Sequence, residues 1–330
     1  MKDRYGREIN YLRISVTDRC NLRCRYCMPE HGIRPVDHKD ILSFDEIGRV
    51  AAICAGLGIK NIKITGGEPL VRKDTAYLIR KLKEISGIRK VTMTTNGLLM
   101  EKYISELIEA GLDGVNISLD TLKEVRYMEL TGSAGAEKVL KAIMLCTERG
   151  LATKVNMVPV AGFNDDEVGQ LAALAKNLDV DVRFIEMMPV GQGRLFQGCS
   201  GSDVLKRLEA IFGQAHAEKS HENHRKDSGS GPARYYRFDG FRGRIGFIDA
   251  LSRPFCSQCN RVRLTSEGFL RPCLQFETGE NLKELMRAGC SDKQLEKAVQ
   301  KCVFGKPSGH CFNSFSKDAE KTGFMSKIGG

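Results

Sequence analysis

Cys20, Cys24 and Cys27 near the start of the chain and Cys256, Cys259 and Cys273 near its end each offer three thiols. Tetrahedral zinc and ordinary iron-sulfur clusters take four protein ligands, so each triplet leaves one coordination position to be filled from outside. An open position on a metal is a place for chemistry, and this chain has two. The first triplet, spaced C-x3-C-x2-C, directly follows an apolar β-branched run, which puts its thiols in one short loop within reach of one cluster. Three thiolates on a four-iron cube leave one iron to bind a ligand with an amine and a carboxylate, and S-adenosylmethionine has that headgroup. An electron from the cluster can then cleave the sulfonium and release a carbon radical, which no side chain supplies. The alternative is a zinc knuckle completed by a distant His or Cys.

The second triplet lies in FCSQCNRVRLTSEGFLRPCL, where zinc competes more strongly because Cys290, Cys302 or Cys311 would serve as a fourth ligand. If NRVRLT is a strand, Cys259, Arg261 and Arg263 share one face while Val262 and Leu264 share the other. Guanidinium forks suit phosphate, so an open cluster beside Arg261 and Arg263 describes a pocket for a phosphorylated substrate. Without the cysteines the same pair would be read as surface arginines.

The elements that must position these groups alternate. Strand-like runs occupy residues 11–17, 59–65, 90–95, 114–119, 152–158 and 181–187, with helical patterns between them. Ser43 and Glu46 form a capping-box pattern, after which Ile47, Val50, Ala51, Cys54 and Leu57 recur on one face, making Cys54 a core residue. Six βα units without a glycine-rich dinucleotide fingerprint predict an α/β fold with a parallel sheet, a partial (β/α)6 TIM-type barrel. Its active site belongs beyond the C-terminal strand ends, where Gly66, Gly67 and Glu68, Thr94, Thr95 and Asn96, Ser118 and Asp120, and Glu186 and Met188 cluster. The periodicity fails over residues 218–233, read as a polar surface loop, and a hairpin turning near Asp239 and Gly240 follows. The expected organisation is a barrel over residues 1–217 and a C-terminal cluster-binding subdomain over 218–330 that closes the barrel opening. The triplets differ in spacing, so they give no support to an internal repeat.

With 330 residues, 42% of them hydrophobic, the chain has ample material for a core. No stretch approaches the ~20 apolar residues of a membrane span, and the first residues lack a secretory segment, so a cytoplasmic location is expected. Twelve cysteines in a reducing compartment favour metal over disulfides. The formal charge of +10 calls for an anionic partner, and with no tryptophan and no aromatic-interleaved basic run a compact anion is preferred to nucleic acid. Cys146 lies in a helical pattern and reads as core, whereas Cys199, Cys290, Cys302 and Cys311 have no role assignable from sequence.

The first triplet, with Tyr26 just before its third cysteine and the segment Gly66, Gly67, Glu68 and Pro69 after the second strand, resembles the radical S-adenosylmethionine superfamily. LRISVTDRCNLRCRYCMP, ITGGEPL, TTNGLL, NISLD, RFIEMMPVG, FCSQCNRVRL and the terminal Gly329 and Gly330 extend the resemblance over essentially the whole chain, to the GTP 3′,8-cyclase family of molybdenum cofactor biosynthesis. The resemblance implies two [4Fe-4S] clusters, one on Cys20, Cys24 and Cys27 and a second on Cys256, Cys259 and Cys273 whose free iron meets the guanine. It implies S-adenosylmethionine contacts at Tyr26, Gly67, Ser118 and Met188. GTP contacts map to Arg13, Lys63, Thr94, Lys154, Arg261 and Arg263. It also implies catalytic support from Arg13, Arg261, Arg263 and a tail, Gly329 and Gly330, that enters the active site. Relatives often carry arginine at position 63, and lysine keeps the charge there but loses the fork.

The implied reaction begins with a 5′-deoxyadenosyl radical that takes hydrogen from C3′ of GTP. The C3′ radical attacks C8 of the guanine, and an electron and a proton complete 3′,8-cyclo-7,8-dihydro-GTP. Positioning must dominate such a reaction, in a site closed to water. Expected partners are GTP, S-adenosylmethionine, an electron donor such as flavodoxin or ferredoxin, cyclic pyranopterin monophosphate synthase downstream, and a second copy in a homodimer, with no membrane and no nucleic acid. Two rivals are a peptide- or tetrapyrrole-modifying radical enzyme with an auxiliary cluster and a zinc-containing RNA-binding module.

Overall fold

A computed structural model describes residues 1–218, 231–312 and 325–328, with the side chains of Ser326 and Lys327 excepted. Most of the polar stretch expected to be a surface loop, residues 219–230, lies outside the described residues, as do Gly329 and Gly330.

Among the described residues the strands are β1 Tyr11–Ser15, β2 Asn61–Thr65, β3 Lys90–Thr95, β4 Gly114–Ser118, β5 Ala152–Met157, β6 Asp181–Ile185, β7 His216–Ala217, β8 Arg234–Arg237, β9 Ile245–Ile248, β10 Arg261–Leu264, β11 Phe269–Arg271 and β12 Glu280–Asn281. They form one sheet in the order β12-β11-β10-β1-β2-β3-β4-β5-β6-β9-β8-β7. The six strands anticipated from periodicity are its centre, paired in parallel and in chain order. β10 adds in parallel beside β1 and β9 in parallel beside β6, so both edges of the six-stranded unit are extended by strands from the last third of the chain. Antiparallel β11 and β8 continue outward, and β8 and β9 form the anticipated hairpin, with Gly240 at φ +75° in its turn. The sheet therefore runs unbroken past residue 218, and segments on both sides of it build the same cavity.

Among the described residues the helices are α1 Phe44–Gly56, α2 Thr75–Lys83, α3 Met100–Glu109, α4 Glu124–Thr131, α5 Ala136–Glu148, α6 Val168–Asn177, α7 Gly201–Phe212, α8 Leu282–Arg287, α9 Asp292–Phe304 and α10 Met325–Ile328. α1 starts as its sequence dictates: Ser43 accepts from the Glu46 amide and Glu46 accepts from the Ser43 amide. Such a cap contributes about 1 kcal/mol.

Strand residues of one parity, among them Leu12, Ile14, Ile62, Ile64, Val115, Ile117, Val182, Phe184, Val262 and Leu264, pack with the apolar helix faces into one core cluster, each at most 2% exposed. Burying an aliphatic or aromatic side chain this fully contributes roughly 1.5–3 kcal/mol. Cys54 and Cys146 are fully buried in that cluster, as their helical spacing required. Residues of the opposite parity face the inside of the curved sheet, and they are the polar ones. None of the described helices is long and apolar enough to cross a membrane.

Candidate active site

The inner face encloses a cavity of about 380 Å³. Period-two geometry delivers its lining: Tyr11 and Arg13 from β1, Lys63 and Thr65 from β2, Asn116 and Ser118 from β4, Asn156 from β5, Arg183 from β6, and Arg261 and Arg263 from β10. Parallel registry makes several of these neighbours. Arg13 stands opposite Arg263 on one side and Lys63 on the other, and Tyr11 opposite Arg261. Both cysteine triplets open onto the same cavity.

The loop after β1 carries the first triplet. The Cys27 and Met28 amides donate to the Cys24 carbonyl at 2.9 and 3.1 Å, a tight turn that gathers Cys24 and Cys27. Burial pushes the Cys24 thiol well above its usual range, with Cys27, Asp120 and Cys20 adding to it, and burial also raises Cys20. Mutual repulsion of nearby thiolates is what a bound cationic iron core offsets, so the donor set fits a cluster. Among the described residues no three His, Cys, Asp or Glu side chains converge on a single metal ion. A cubane is compatible with that, because its three thiolates bind three different irons.

The segment after β2 lies against this loop. The Gly67 amide donates to the Thr17 carbonyl at 2.7 Å and the Glu68 amide to the Arg19 carbonyl at 2.8 Å. A Cβ at Gly67 would stand 2.3 Å from the Arg19 oxygen, so only glycine permits the approach. Glu68 is 1% exposed and turns away from the cavity to accept from the Leu70 amide, the Thr95 hydroxyl and the Asn96 amide. Burial raises its carboxyl to about 7, against the pull of those three bonds. Tyr26 donates to Asp120 Oδ2 at 2.5 Å, and Asp120 Oδ1 accepts from the Val158 amide at 2.7 Å. Burial lifts Asp120 to about 6 while these bonds oppose it.

The second triplet occupies a one-turn 3-10 helix, Cys256–Gln258, and the strand connections around β10 and β11. Burial raises Cys259, but Lys306 and Arg261 outweigh it and hold the thiol below its usual range, helped by the Arg261 amide and the Lys306 ammonium. Burial raises Cys256, with a hydrogen bond from the His310 amide, at 3.4 Å, pulling the other way. Lys306, 2% exposed, donates to the Arg261 carbonyl at 2.8 Å and the Pro272 carbonyl at 2.5 Å. Burial pushes Arg263 well down, as do Arg13 and Arg261, while Cys273 and Cys259 pull it back. Arg13 is lowered to about 10 by burial first, with Arg261 and Arg183 adding and Tyr11 opposing, and stays protonated at neutral pH. Arginines from adjacent strands that line one cavity wall suit an anion.

Charge sorts the cavity along the strands. Arg13, Lys63, Arg183, Arg261 and Arg263 lie within strands, whereas the lining carboxylates Asp120 and Glu186 lie beyond the C-terminal ends of β4 and β6. Glu186 accepts from the Leu251 and Ser252 amides at 2.7 and 2.9 Å.

Of the residues singled out from sequence, Arg13, Tyr26, Lys63, Gly67, Thr94, Ser118, Met188, Arg261, Arg263 and all six cysteines line this cavity. Lys154 does not. It shares the inner parity of Asn156 but sits one step lower, paired between Asn116 and Asp181. Sequence reading passed over Asn116, Asn156 and Arg183, each a polar residue at the inner parity of its strand. Arg183 donates twice to Asn156 Oδ1, at 2.9 and 2.7 Å.

Comparison with known proteins gives consistent results. A family model described as the radical SAM superfamily matches residues 14–175, and one described as Molybdenum Cofactor Synthesis C matches residues 180–312. A GTP 3′,8-cyclase of Clostridium perfringens (strain SM101 / Type A) is 44% identical over 330 residues, and one of Heliobacterium modesticaldum is 43% identical over 332, each covering 100% of both chains. A solved structure of Streptococcus suis SuiB bound to S-adenosylmethionine has the same fold, with a TM-score of 0.62 and 18% identity over 93% of this chain and 74% of that one.

Proposed function

The chain belongs to the GTP 3′,8-cyclase family of radical S-adenosylmethionine enzymes, and from that premise we propose how its cavity carries out the first step of molybdenum cofactor biosynthesis, cyclisation of GTP to (8S)-3′,8-cyclo-7,8-dihydroguanosine 5′-triphosphate. The observation that carries the reading is the cavity into which both triplets and six cationic side chains open.

Cys20, Cys24 and Cys27 hold the [4Fe-4S] cluster that, with S-adenosylmethionine, supplies the hydrogen-abstracting carbon radical. Tyr26, Gly67, Ser118 and Met188 line the space beside that loop and bind the cofactor there. S-adenosylmethionine carries a sulfonium and an amine, and it suits the part of the cavity beyond the strand ends, where Asp120 and Glu186 lie. GTP, with its triphosphate, suits the cationic wall. Arg13, Arg261 and Arg263 grip the phosphates from adjoining strands, Lys63 adds a point charge, and Arg183 joins them from across the barrel. Thr94 offers a hydroxyl to the same substrate, and Lys154 contributes long-range charge from its lower position.

Cys256, Cys259 and Cys273 would hold a second [4Fe-4S] cluster, which would supply an open coordination position for the guanine. Lys306 and Arg261 already hold Cys259 toward its thiolate, the form a metal requires. Held at its base and its phosphates, GTP would present its ribose within the cavity onto which the first triplet also opens. Enclosure by the sheet excludes water while the radical is present. Catalytic support from Gly329 and Gly330, which lie outside the described residues, is part of the proposal. Support comes from the segment just before them, since Met325 lines the cavity and Ile328 is 2% exposed. A flavodoxin- or ferredoxin-like donor, transfer of product to cyclic pyranopterin monophosphate synthase and a homodimer complete the proposal.

The reading is tested by anaerobic reconstitution with iron and sulfide, reduction, and incubation with S-adenosylmethionine with or without GTP. Stoichiometric 5′-deoxyadenosine and a cyclised nucleotide that both require GTP are expected. Deoxyadenosine formation indifferent to GTP, with no nucleotide product, would refute it.

A further inference from the structure

The N-terminal segment ahead of β1 is fastened to the second triplet, some 250 residues away in sequence. Asp3 and Arg7, 5% and 8% exposed, form a compact unit: Asp3 Oδ1 accepts from the Tyr5 and Arg7 amides at 2.9 and 3.0 Å, and Oδ2 accepts from Arg7 Nε at 2.6 Å. Gly6, at φ +78°, lets the chain turn back between them. The acceptor Asp3 thus orients the guanidinium, whose remaining edge points at backbone oxygens. Arg7 Nη1 donates to the Cys256 carbonyl at 2.7 Å and the Ser308 carbonyl at 3.0 Å, and Nη2 donates to the Pro307 carbonyl at 2.5 Å.

Those acceptors belong to the two strips that frame the triplet. Cys256 is one of its thiols, and Pro307 and Ser308 continue from Lys306, which ties the Arg261 and Pro272 carbonyls beside Cys259 and Cys273. The same strip returns through the His310 amide to Cys256 Sγ. A second fastening lies three residues along, where the Asn10 amide donates to the Asn260 carbonyl at 3.2 Å and Asn260 Nδ2 to Asn10 Oδ1 at 2.8 Å.

We propose that the Asp3–Arg7 pair is a clasp that positions the second cysteine triplet, holding the Cys256 turn against the Lys306–His310 strip so that the thiols keep the spacing a cluster needs. The proposal rests on the reading that this triplet holds a [4Fe-4S] cluster. Arg7 acts as a positioning residue, through carbonyls and not through substrate. Arginine suits the role because one planar group must satisfy three carbonyls and a carboxylate at once, which a lysine ammonium cannot span. Partners of this kind, one bond removed from metal ligands, typically alter metal affinity about 10–100-fold when removed.

The test follows iron release to a chelator from the full-length protein in two backgrounds, one with Cys20, Cys24 and Cys27 replaced by alanine and the other with Cys256, Cys259 and Cys273 replaced. Arg7→Ala is expected to speed release from the second triplet at least about tenfold, with Arg7→Lys intermediate, and to change release from the first triplet less than about twofold. Equal acceleration in both backgrounds, as a general loss of stability would give, or no acceleration at the second triplet in either variant, overturns the clasp. If removing the second triplet costs the parent protein no iron, the cluster reading itself has failed and the clasp falls with it.

Discussion

Arg13 of β1 and Arg263 of β10 are register partners in adjacent parallel strands, so two guanidinium groups face one cavity from neighbouring positions. Arg13 depresses the affinity of Arg263 for its proton, on top of the larger effect of burial on Arg263. The pairing joins the first strand of the chain to one from its last quarter, and it accounts for the electrostatics of the site.

Replacing Arg263 by methionine tests the arginine wall. GTP affinity falls by about 2–5 kcal/mol, the range seen when one partner of a buried charge contact is truncated. Equilibrium dialysis with GTP measures the loss, and a variant that binds GTP as tightly as the parent contradicts the account.

Gly67→Ala places a methyl group 2.3 Å from the Arg19 carbonyl, where backbone meets backbone and neither side has a flexible end to move. The overpacking costs about 1–3 kcal/mol and displaces the loop that carries Cys20. S-adenosylmethionine cleavage is expected to fall by more than tenfold, at about 1.4 kcal/mol per decade, while GTP binding at the arginine wall persists. The rate of 5′-deoxyadenosine formation and a calorimetric titration with GTP separate these outcomes.

Glu68 gives the apoprotein a pH dependence of determinate sign. Its folded-state pKa, about 7, lies above the ordinary 4.5, so the folded state holds an extra proton between those values. Stability from this group is complete below pH 4.5, declines as pH rises through the window and is lost above about 7, by up to roughly 3 kcal/mol. Thermal melts of the parent and of Glu68→Gln across that window should differ in slope, the variant lacking this decline whatever its absolute stability. Parallel slopes would mean that the three hydrogen bonds keep Glu68 ionised throughout.

Much of this architecture is legible from local pattern. Alternation marks the six central strands because their outer parity is mostly Ile, Val, Leu, Met or Phe, and the Ser43–Glu46 cap announces α1. Arg261 and Arg263 could be placed on one face with Cys259 before any neighbour was known. What local pattern does not carry is which strands adjoin. Nothing in RVRL says that it lies beside YLRIS, and nothing in IGFI says that it lies beside DVRFI, because those pairings are long-range. Arg183 escaped notice for a related reason: a lone arginine in a strand looks like a solvent-facing residue until the sheet curves and makes that face an interior. Arg7 gave no sequence signal for its partners at Cys256, Pro307 and Ser308.

Removal of either triplet should cost a comparable amount of iron. The parent is expected to hold about eight irons per chain after anaerobic reconstitution, and each triple-alanine variant about four. Stoichiometric zinc in the variant lacking Cys20, Cys24 and Cys27 would mean that Cys256, Cys259 and Cys273 form a zinc site.

The central claim is that GTP binds between the arginine wall and the second cluster. EPR of the reduced protein with Cys20, Cys24 and Cys27 replaced by alanine tests it most directly, because any remaining cluster signal then comes from Cys256, Cys259 and Cys273. Adding GTP is predicted to shift that signal, and further replacement of Arg263 by methionine should raise the GTP concentration needed. A signal that saturating GTP leaves unchanged would contradict the claim.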